Sequence, residues 1–136
     1  MIITKEVLET RRSLVRWLAL ALGIINPGES RLSAIAVLDS LLYFQFIERR
    51  DPSVQELSDY ISKNWEPINE KTLRYHLLQL KKANVVNNSK GTYFLSNVDG
   101  DEKYNEEAWV NRYFESEVQP VKDKISTVMR ELKNRQ

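Results

Sequence analysis

Apolar residues recur with helical spacing over most of the chain. In residues 4–25, pairs of apolar side chains return every seven positions, which predicts a helix with one apolar stripe. Asn26-Pro27-Gly28 breaks this pattern, and Ser30 is suited to cap a second helix that continues to about Arg50. The second helix carries apolar residues on two opposite sides, so we expect it to be packed between other elements.

Two shorter helices are predicted next. Ser53-Val54-Gln55-Glu56 has the form of a capping box, in which the serine and glutamate side chains each satisfy a free backbone amide at the start of a helix. Asn69 is expected to cap a fourth helix. Leu73, Leu77 and Leu80 recur on one side of that helix, which we expect to be its buried side.

A hairpin and a final helical region follow. Residues 85–87 and 92–95 are predicted to be short strands, joined by a turn in which Gly91 takes a positive φ. After an acidic connector, apolar residues spaced 3, 4, 3, 4 form a seam of the kind that pairs helices. We expect Pro120 to kink this region or to begin its second half. The seam consists of Val118, Val121, Ile125, Val128 and Leu132.

The order helix, helix, tight turn, helix, hairpin is that of a winged helix-turn-helix. Residues 72–86 read TLRYHLLQLKKANVV and resemble the stretch T-V-x-x-H-L-x-x-L-x-x-A-G-L-V of winged-helix repressors of the arsenical-resistance (ArsR) and multiple-antibiotic-resistance (MarR) superfamily. Asn84 stands where glycine is usual, and asparagine is the next best residue at a left-handed helix end. The matching residues are His76, Leu77, Leu80, Ala83 and Val86.

The resemblance covers roughly residues 30–96 and implies a fold. We expect a mainly α protein with a small β-hairpin (α+β), in which a winged helix-turn-helix is flanked by N- and C-terminal helices. The expected segments are an N-terminal helix over residues 1–28, the winged helix-turn-helix over residues 29–98 and a helical dimerisation segment over residues 99–136.

Charge is distributed unevenly along the chain. The formal net charge is only +1, but residues 69–91 carry five Lys or Arg against one Glu. The resemblance implies that the fourth helix enters the major groove of DNA, where base edges show a sequence-specific pattern of donors and acceptors. With the leucine side buried, the candidate DNA-binding residues are Lys71, Thr72, Arg74, Tyr75, Gln79, Lys82 and Lys90.

Each candidate suits a different part of the duplex. The Arg74 guanidinium can pair with guanine or clamp a phosphate, and the Gln79 amide can pair with adenine. Lys71 and Thr72 suit phosphates at the helix entrance, with Lys82 as a further phosphate contact. Lys90 at the hairpin tip suits the minor groove or the backbone.

Flanking helices pair two subunits in the resembling superfamily, which implies a homodimer with half-sites roughly 34–36 Å apart. The alternative is that both terminal helices fold back onto their own domain. The candidate dimer-interface residues are Leu14, Leu18, Val121, Ile125, Val128 and Leu132.

Other classes of function find little support. The chain has no cysteine, and its single histidine, His76, is better explained as a packed residue than as a ligand, so we expect no metal site and no cofactor. No constellation suits catalysis, and we expect no enzyme. The nine apolar residues 17–25 are too few to span a bilayer, which needs about 20, and Glu6 and Glu9 argue against a signal peptide. We therefore expect a cytoplasmic protein without membrane contact.

The expected function is sequence-specific binding of double-stranded DNA by a transcriptional regulator. One alternative is a winged-helix module that binds proteins, which exposed Tyr75 and Leu78 would favour. Another is nonspecific, chromatin-like coating of DNA. A small-molecule effector is left open by the sequence but is not indicated by it.

Overall fold

The computed structural model describes residues 4–25, 32–96 and 102–135. The chain divides into two compact units, residues 1–96 and residues 97–136. Within the described residues it is mainly helical with one two-stranded antiparallel hairpin, as expected for the α+β class. The predicted helix break at residues 26–28 and the predicted cap Ser30 lie outside the described residues.

The first unit begins with two helices that pack on each other. Helix α1 spans Lys5–Ala21 and helix α2 spans Leu32–Leu42. The predicted second helix does not continue as an α-helix to residue 50, because α2 passes into a π-helical segment, Tyr43–Glu48. Arg49, with φ 59°, ends this segment in the left-handed region, and the amide of Arg50 donates to the carbonyl of Phe44.

Helix α2 is the centre of the first unit. It contacts α1, the two helices that follow it and the hairpin, and every residue from 34 to 41 is buried, which confirms that it is packed between other elements. Its buried side chains include polar ones, Asp39 and Ser40, so these need partners inside the protein. The buried apolar residues of α2 are Ala34, Ile35, Ala36, Val37, Leu38 and Leu41.

Asp39 is the acceptor of a buried polar cluster that joins three parts of the first unit. Its carboxylate forms a salt bridge with Arg11 of α1 and accepts hydrogen bonds from the Tyr60 hydroxyl at 2.7 Å and from Trp65 Nε1 at 2.9 Å. We call these four residues the Asp39 cluster. Burial raises the pKa of Tyr60, and the adjacent carboxylate raises it further. The cluster holds α1 against α2 and the end of the next helix.

Helices α3 and α4 begin where the caps predict. Helix α3 spans Val54–Asn64 and has the complete capping box of Ser53 and Glu56, while α4 spans Glu70–Lys82 and is capped by the Asn69 side chain. They are joined by the short segment 65–69, and both contact α2. The predicted leucine side of α4 is confirmed, since Leu73, Leu77 and Leu80 are buried.

The hairpin follows α4 closely. Strand β1 spans Val86–Ser89 and pairs antiparallel with β2, Thr92–Leu95, so β1 begins and ends later than the predicted strand at 85–87. The turn consists of Lys90 and Gly91, both with positive φ, as a two-residue hairpin turn of type I′ requires. Asn84 also has a positive φ, 65°, at the end of α4, in keeping with its predicted role there.

Strand β2 is held to the rest of the first unit along its outer edge. The amide of Tyr93 donates to the carbonyl of Pro52 at 2.9 Å, and Ser53 forms an isolated antiparallel bridge with Thr92. At the far end of the strand, the amide of Leu95 donates to the Gln45 side chain at 3.3 Å. The hairpin is thus connected to the segment before α3 as well as to the end of α4.

The second unit contains one long helix. Helix α5 spans Glu106–Asn134, with the Asn105 side chain as its N-cap. Pro120 lies inside this helix, so it does not begin a separate one. Proline has no backbone N–H, so the carbonyl of Ser116, four residues earlier, lacks its usual helical donor, and α5 nevertheless continues beyond Pro120.

Candidate nucleic-acid interface

Helix α4 has one side that is buried in the protein and one side that is exposed to solvent. Its leucine side and His76 face the protein, whereas a set of side chains that we call the α4 outer face is exposed. This difference follows from helical spacing, because the buried residues recur three or four positions apart. The α4 outer face consists of Lys71, Arg74, Tyr75, Leu78, Gln79 and Lys82.

The orientation of α4 is maintained from its buried side. His76 is 8% exposed, and its Nε2 lies 3.0 Å from the Ser33 hydroxyl at the start of α2. This placement confirms His76 as a packed residue. The Tyr75 ring meets the His76 ring edge-to-face at a centroid distance of 5.4 Å, so a side chain of the outer face is in contact with the buried one.

The entrance of α4 differs in one respect from expectation. Thr72 was predicted to point outward toward phosphate, but it is only partly exposed, and its amide donates to Asn69 Oδ1 at 2.8 Å. The cap therefore occupies one of the backbone donors that an anion at this helix end would use. Lys71, beside it, is exposed as predicted.

Arg74 has a neighbouring acid. Its Nη2 lies 3.4 Å from Oε1 of Glu70, four residues earlier on the helix, and both side chains are more than half exposed. An exposed pair of this kind contributes little, typically 0.2–0.5 kcal/mol, because water screens it. Arg74 can therefore exchange Glu70 for a phosphate or a guanine at small cost.

The hairpin tip provides a second exposed basic position. Lys90 is exposed in the turn, as predicted, next to the exposed end of β1. Lys81 was not among the predicted site residues, yet its Nζ donates to Asn88 Oδ1 of β1 at 2.8 Å. This contact joins α4 to the hairpin. The sequence does show two adjacent lysines, Lys81 and Lys82, at the end of α4. The contact of Lys81 with Asn88 could be found only once the register of β1 was known.

The candidate dimer residues lie on exposed or partly exposed surfaces of α1 and α5. In α1, Leu14 is exposed and Leu18 is partly exposed. In α5, the side chains of the seam, together with Phe114 and Met129, are all exposed. Their role as dimer contacts stays a prediction.

The described part of the chain also bears on metal binding and on membrane insertion. Residues 4–25, 32–96 and 102–135 contain no group of three or more His, Asp or Glu side chains placed to hold a metal ion. None of the helices described there is long and apolar enough to cross a lipid bilayer. Comparison of the chain with family models, curated proteins and solved structures finds no match. Function must therefore be inferred from the residues themselves.

Proposed function

We propose that the first unit is a winged helix-turn-helix that binds double-stranded DNA sequence-specifically, and that the protein regulates transcription as a homodimer. The observation that carries this proposal is α4: its leucine side is buried while its opposite side exposes Lys71, Arg74 and Lys82. The order of elements from α2 to β2 supports the same reading, with the hairpin as the wing.

The proposed complex places the α4 outer face in the major groove. The groove is about 12 Å wide and admits a helix, and cations along the sides of the helix then reach the phosphates. Arg74 and Gln79 would contact base edges, and Lys71 and Lys82 would contact phosphates near the two ends of α4. Lys90 on the wing would reach the adjacent backbone or minor groove.

We further propose that α5 pairs with α5 of a second copy in antiparallel orientation. The helix has 29 residues, so it is about 44 Å long. Its first part, residues 106–117, carries four Glu and one Arg, whereas residues 118–135 carry five Lys or Arg and two acids. Antiparallel pairing lays each acidic part against a basic one, and parallel pairing would set like charges together.

Sedimentation velocity of Ile125→Asp tests this pairing. A carboxylate in the middle of the seam is costly to bury, so we expect the variant to be monomeric at concentrations where the natural chain is dimeric. Ser126→Asp adds the same charge one position away, on a polar part of α5, and is expected to remain dimeric. Equal behaviour of the two variants would contradict pairing through the seam.

Exposed Tyr75 and Leu78 are the observation that favours the alternative, a protein-binding module. However, Lys71, Arg74 and Lys82 lie on the same face, and an apolar protein surface would have to desolvate them without compensation. A DNA duplex instead has phosphates that can pair with these positive charges. The charge of the α4 outer face therefore favours DNA.

Selection of bound duplexes from a random pool is the experiment that separates these functions. A sequence-specific dimer should enrich a motif with two related half-sites about one helical turn apart. Retention of all duplexes equally would indicate nonspecific coating of DNA. Retention of none, by protein with native circular dichroism, would overturn the proposal and leave the protein-binding module.

A further inference from the structure

Two apolar side chains stand in the middle of the basic α4 outer face. Tyr75 is 52% exposed and Leu78 is 50% exposed, and they lie three residues apart on the same side of the helix. We call them the tyrosine–leucine strip. Exposing large apolar side chains to water is unfavourable, so the strip is a candidate for contact with a partner.

Cations surround the strip. Along the helix, Arg74 lies four residues before Leu78, and Lys81 and Lys82 lie three and four residues after it, so all three are its neighbours on the helix surface. Lys71 lies four residues before Tyr75 and is its neighbour on the helix surface, and Arg74 directly precedes Tyr75 in the sequence. The strip can be covered only by a partner that also satisfies positive charge on several sides.

The ring of Tyr75 is held in place before any partner arrives. It contacts the His76 ring edge-to-face, and the His76 ring is buried within 3.0 Å of the Ser33 hydroxyl. Leu78 lies one turn further along α4, next to buried Leu77. A surface held this way loses little conformational freedom on binding, which suits contact with a partner that is itself rigid.

We propose that the tyrosine–leucine strip reads thymine through its C5-methyl group, which makes Tyr75 and Leu78 specificity-determining residues for the DNA binding proposed above. This inference rests on that proposed function. The thymine methyl is the apolar feature that the four natural bases display in the major groove, and apolar side chains recognise it. Phosphates on either side of the groove supply the negative charge that the surrounding lysines and arginine require. We therefore expect thymine at the bases that face the centre of α4.

Deoxyuridine substitution tests the inference. Deoxyuridine pairs as thymine does but lacks the methyl group, so each thymine of the selected duplex is replaced in turn and the Kd is measured by fluorescence anisotropy. We expect about a fourfold weaker Kd at one or two positions of each half-site, the effect of one methyl group no longer buried. Substitutions outside the two half-sites should leave the Kd unchanged.

Protein variants then assign the methyl contact. Leu78→Ala and Tyr75→Ala should bind the thymine duplex more weakly, and deoxyuridine at the position facing the altered residue should cause no further loss. Leu32→Ala is the matched control, because Leu32 is a similarly exposed leucine at the start of α2. That variant should respond to deoxyuridine as the natural chain does.

Two results would overturn the inference, and they are distinguishable from failure of the proposed function. If the protein selects a duplex but no deoxyuridine substitution changes the Kd, DNA binding stands and the reading of thymine is wrong. The inference is also wrong if both alanine variants keep the full response to deoxyuridine. If the protein binds no duplex at all, the proposed function itself fails, and the inference fails with it.

Discussion

Polar side chains gather in two regions of the first unit, and the two regions differ in whether those groups are paired. In the Asp39 cluster, Arg11, Tyr60 and Trp65 all donate to one carboxylate that is inaccessible to solvent. On the α4 outer face the cations point to water, and the pair that Arg74 makes with Glu70 is exposed. Groups that stabilise the fold are paired and buried, and groups that we propose for binding are exposed. Substitutions in the two regions should therefore separate stability from affinity.

The largest effect is expected at the centre of the Asp39 cluster. Asp39→Ala leaves the Arg11 guanidinium, the Tyr60 hydroxyl and the Trp65 indole without their common acceptor. Removing one partner of a buried ion pair typically costs 3–5 kcal/mol, so we expect the free energy of unfolding to fall by about 3 kcal/mol or more. Urea unfolding followed by circular dichroism measures this.

Asp59→Ala provides the control for that variant. Asp59 is an exposed residue of α3 whose Oδ1 accepts a hydrogen bond from Gln55 Nε2 at 2.9 Å. Its loss should change the free energy of unfolding by less than about 0.5 kcal/mol. Equal destabilisation by the two substitutions would show that the buried Asp39 cluster contributes no more to the free energy of unfolding than an exposed carboxylate does.

Arg74→Ala should produce the opposite pattern. We expect its affinity for the selected duplex to fall by about 1–3 kcal/mol, with the free energy of unfolding changed by less than about 0.5 kcal/mol. Arg112→Ala is matched to it, since Arg112 of α5 is equally exposed and lies 3.5 Å from Glu102. An Arg74 variant that binds as tightly as the Arg112 variant would remove Arg74 from the interface.

Glu70→Gln should strengthen DNA binding. The substitution removes a negative charge from the entrance of α4 and releases Arg74 from its exposed pair, so we expect the Kd to fall about twofold to fivefold. Glu131→Gln breaks a pair of the same spacing and distance, 3.4 Å to Arg135, at the end of α5. The Kd of the Glu131 variant for DNA should equal that of the natural chain. Weaker binding by the Glu70 variant would be inconsistent with a phosphate near this end of α4.

The smallest effect concerns the dependence of stability on pH. Burial alone would raise the pKa of Glu56, but its contacts with Arg50 and Ser53 dominate and lower that pKa. A carboxylate whose pKa is lowered by folding stabilises the protein above its unfolded pKa of about 4.3, and that contribution is lost as the pH falls through the folded value.

Glu56→Gln should therefore lose less stability than the natural chain between pH 5 and pH 3. The Glu56 side chain is 36% exposed, so water screens its pair and we expect a difference below about 1 kcal/mol. Urea unfolding at several pH values measures it, with Glu131→Gln as the control. A variant whose stability falls just as steeply would show that Glu56 does not contribute to the acid sensitivity.

Local patterns made much of the fold predictable. The capping box at Ser53, the cap Asn69 and the buried leucines of α4 depend on residues within a few positions of one another, and each was found as expected. The exposed side of α4 followed directly from its leucines. For the same reason, the outward placement of Arg74 and Lys82 could be predicted, although Thr72 proved less exposed.

Contacts between distant parts of the chain could not be predicted. Arg11 and Asp39 are 28 positions apart, and Trp65 is 26 positions from Asp39, so no periodic pattern reveals that they meet. The change from α- to π-helix at Tyr43 was likewise not predicted, nor was the hydrogen bond from the amide of Leu95 to the side chain of Gln45, 50 positions earlier. The pairing of Lys81 with Asn88 required the register of the hairpin.

The salt dependence of duplex binding tests the central proposal most directly. Three cations proposed to contact the backbone of the duplex, Lys71, Lys82 and Lys90, would each displace a condensed counterion when they meet phosphate. The logarithm of the affinity should then fall linearly with the logarithm of salt concentration, with a slope of about −2.7 per protomer, or about −0.9 for each phosphate. An affinity for the selected duplex that stays constant between 50 and 200 mM salt would contradict the account.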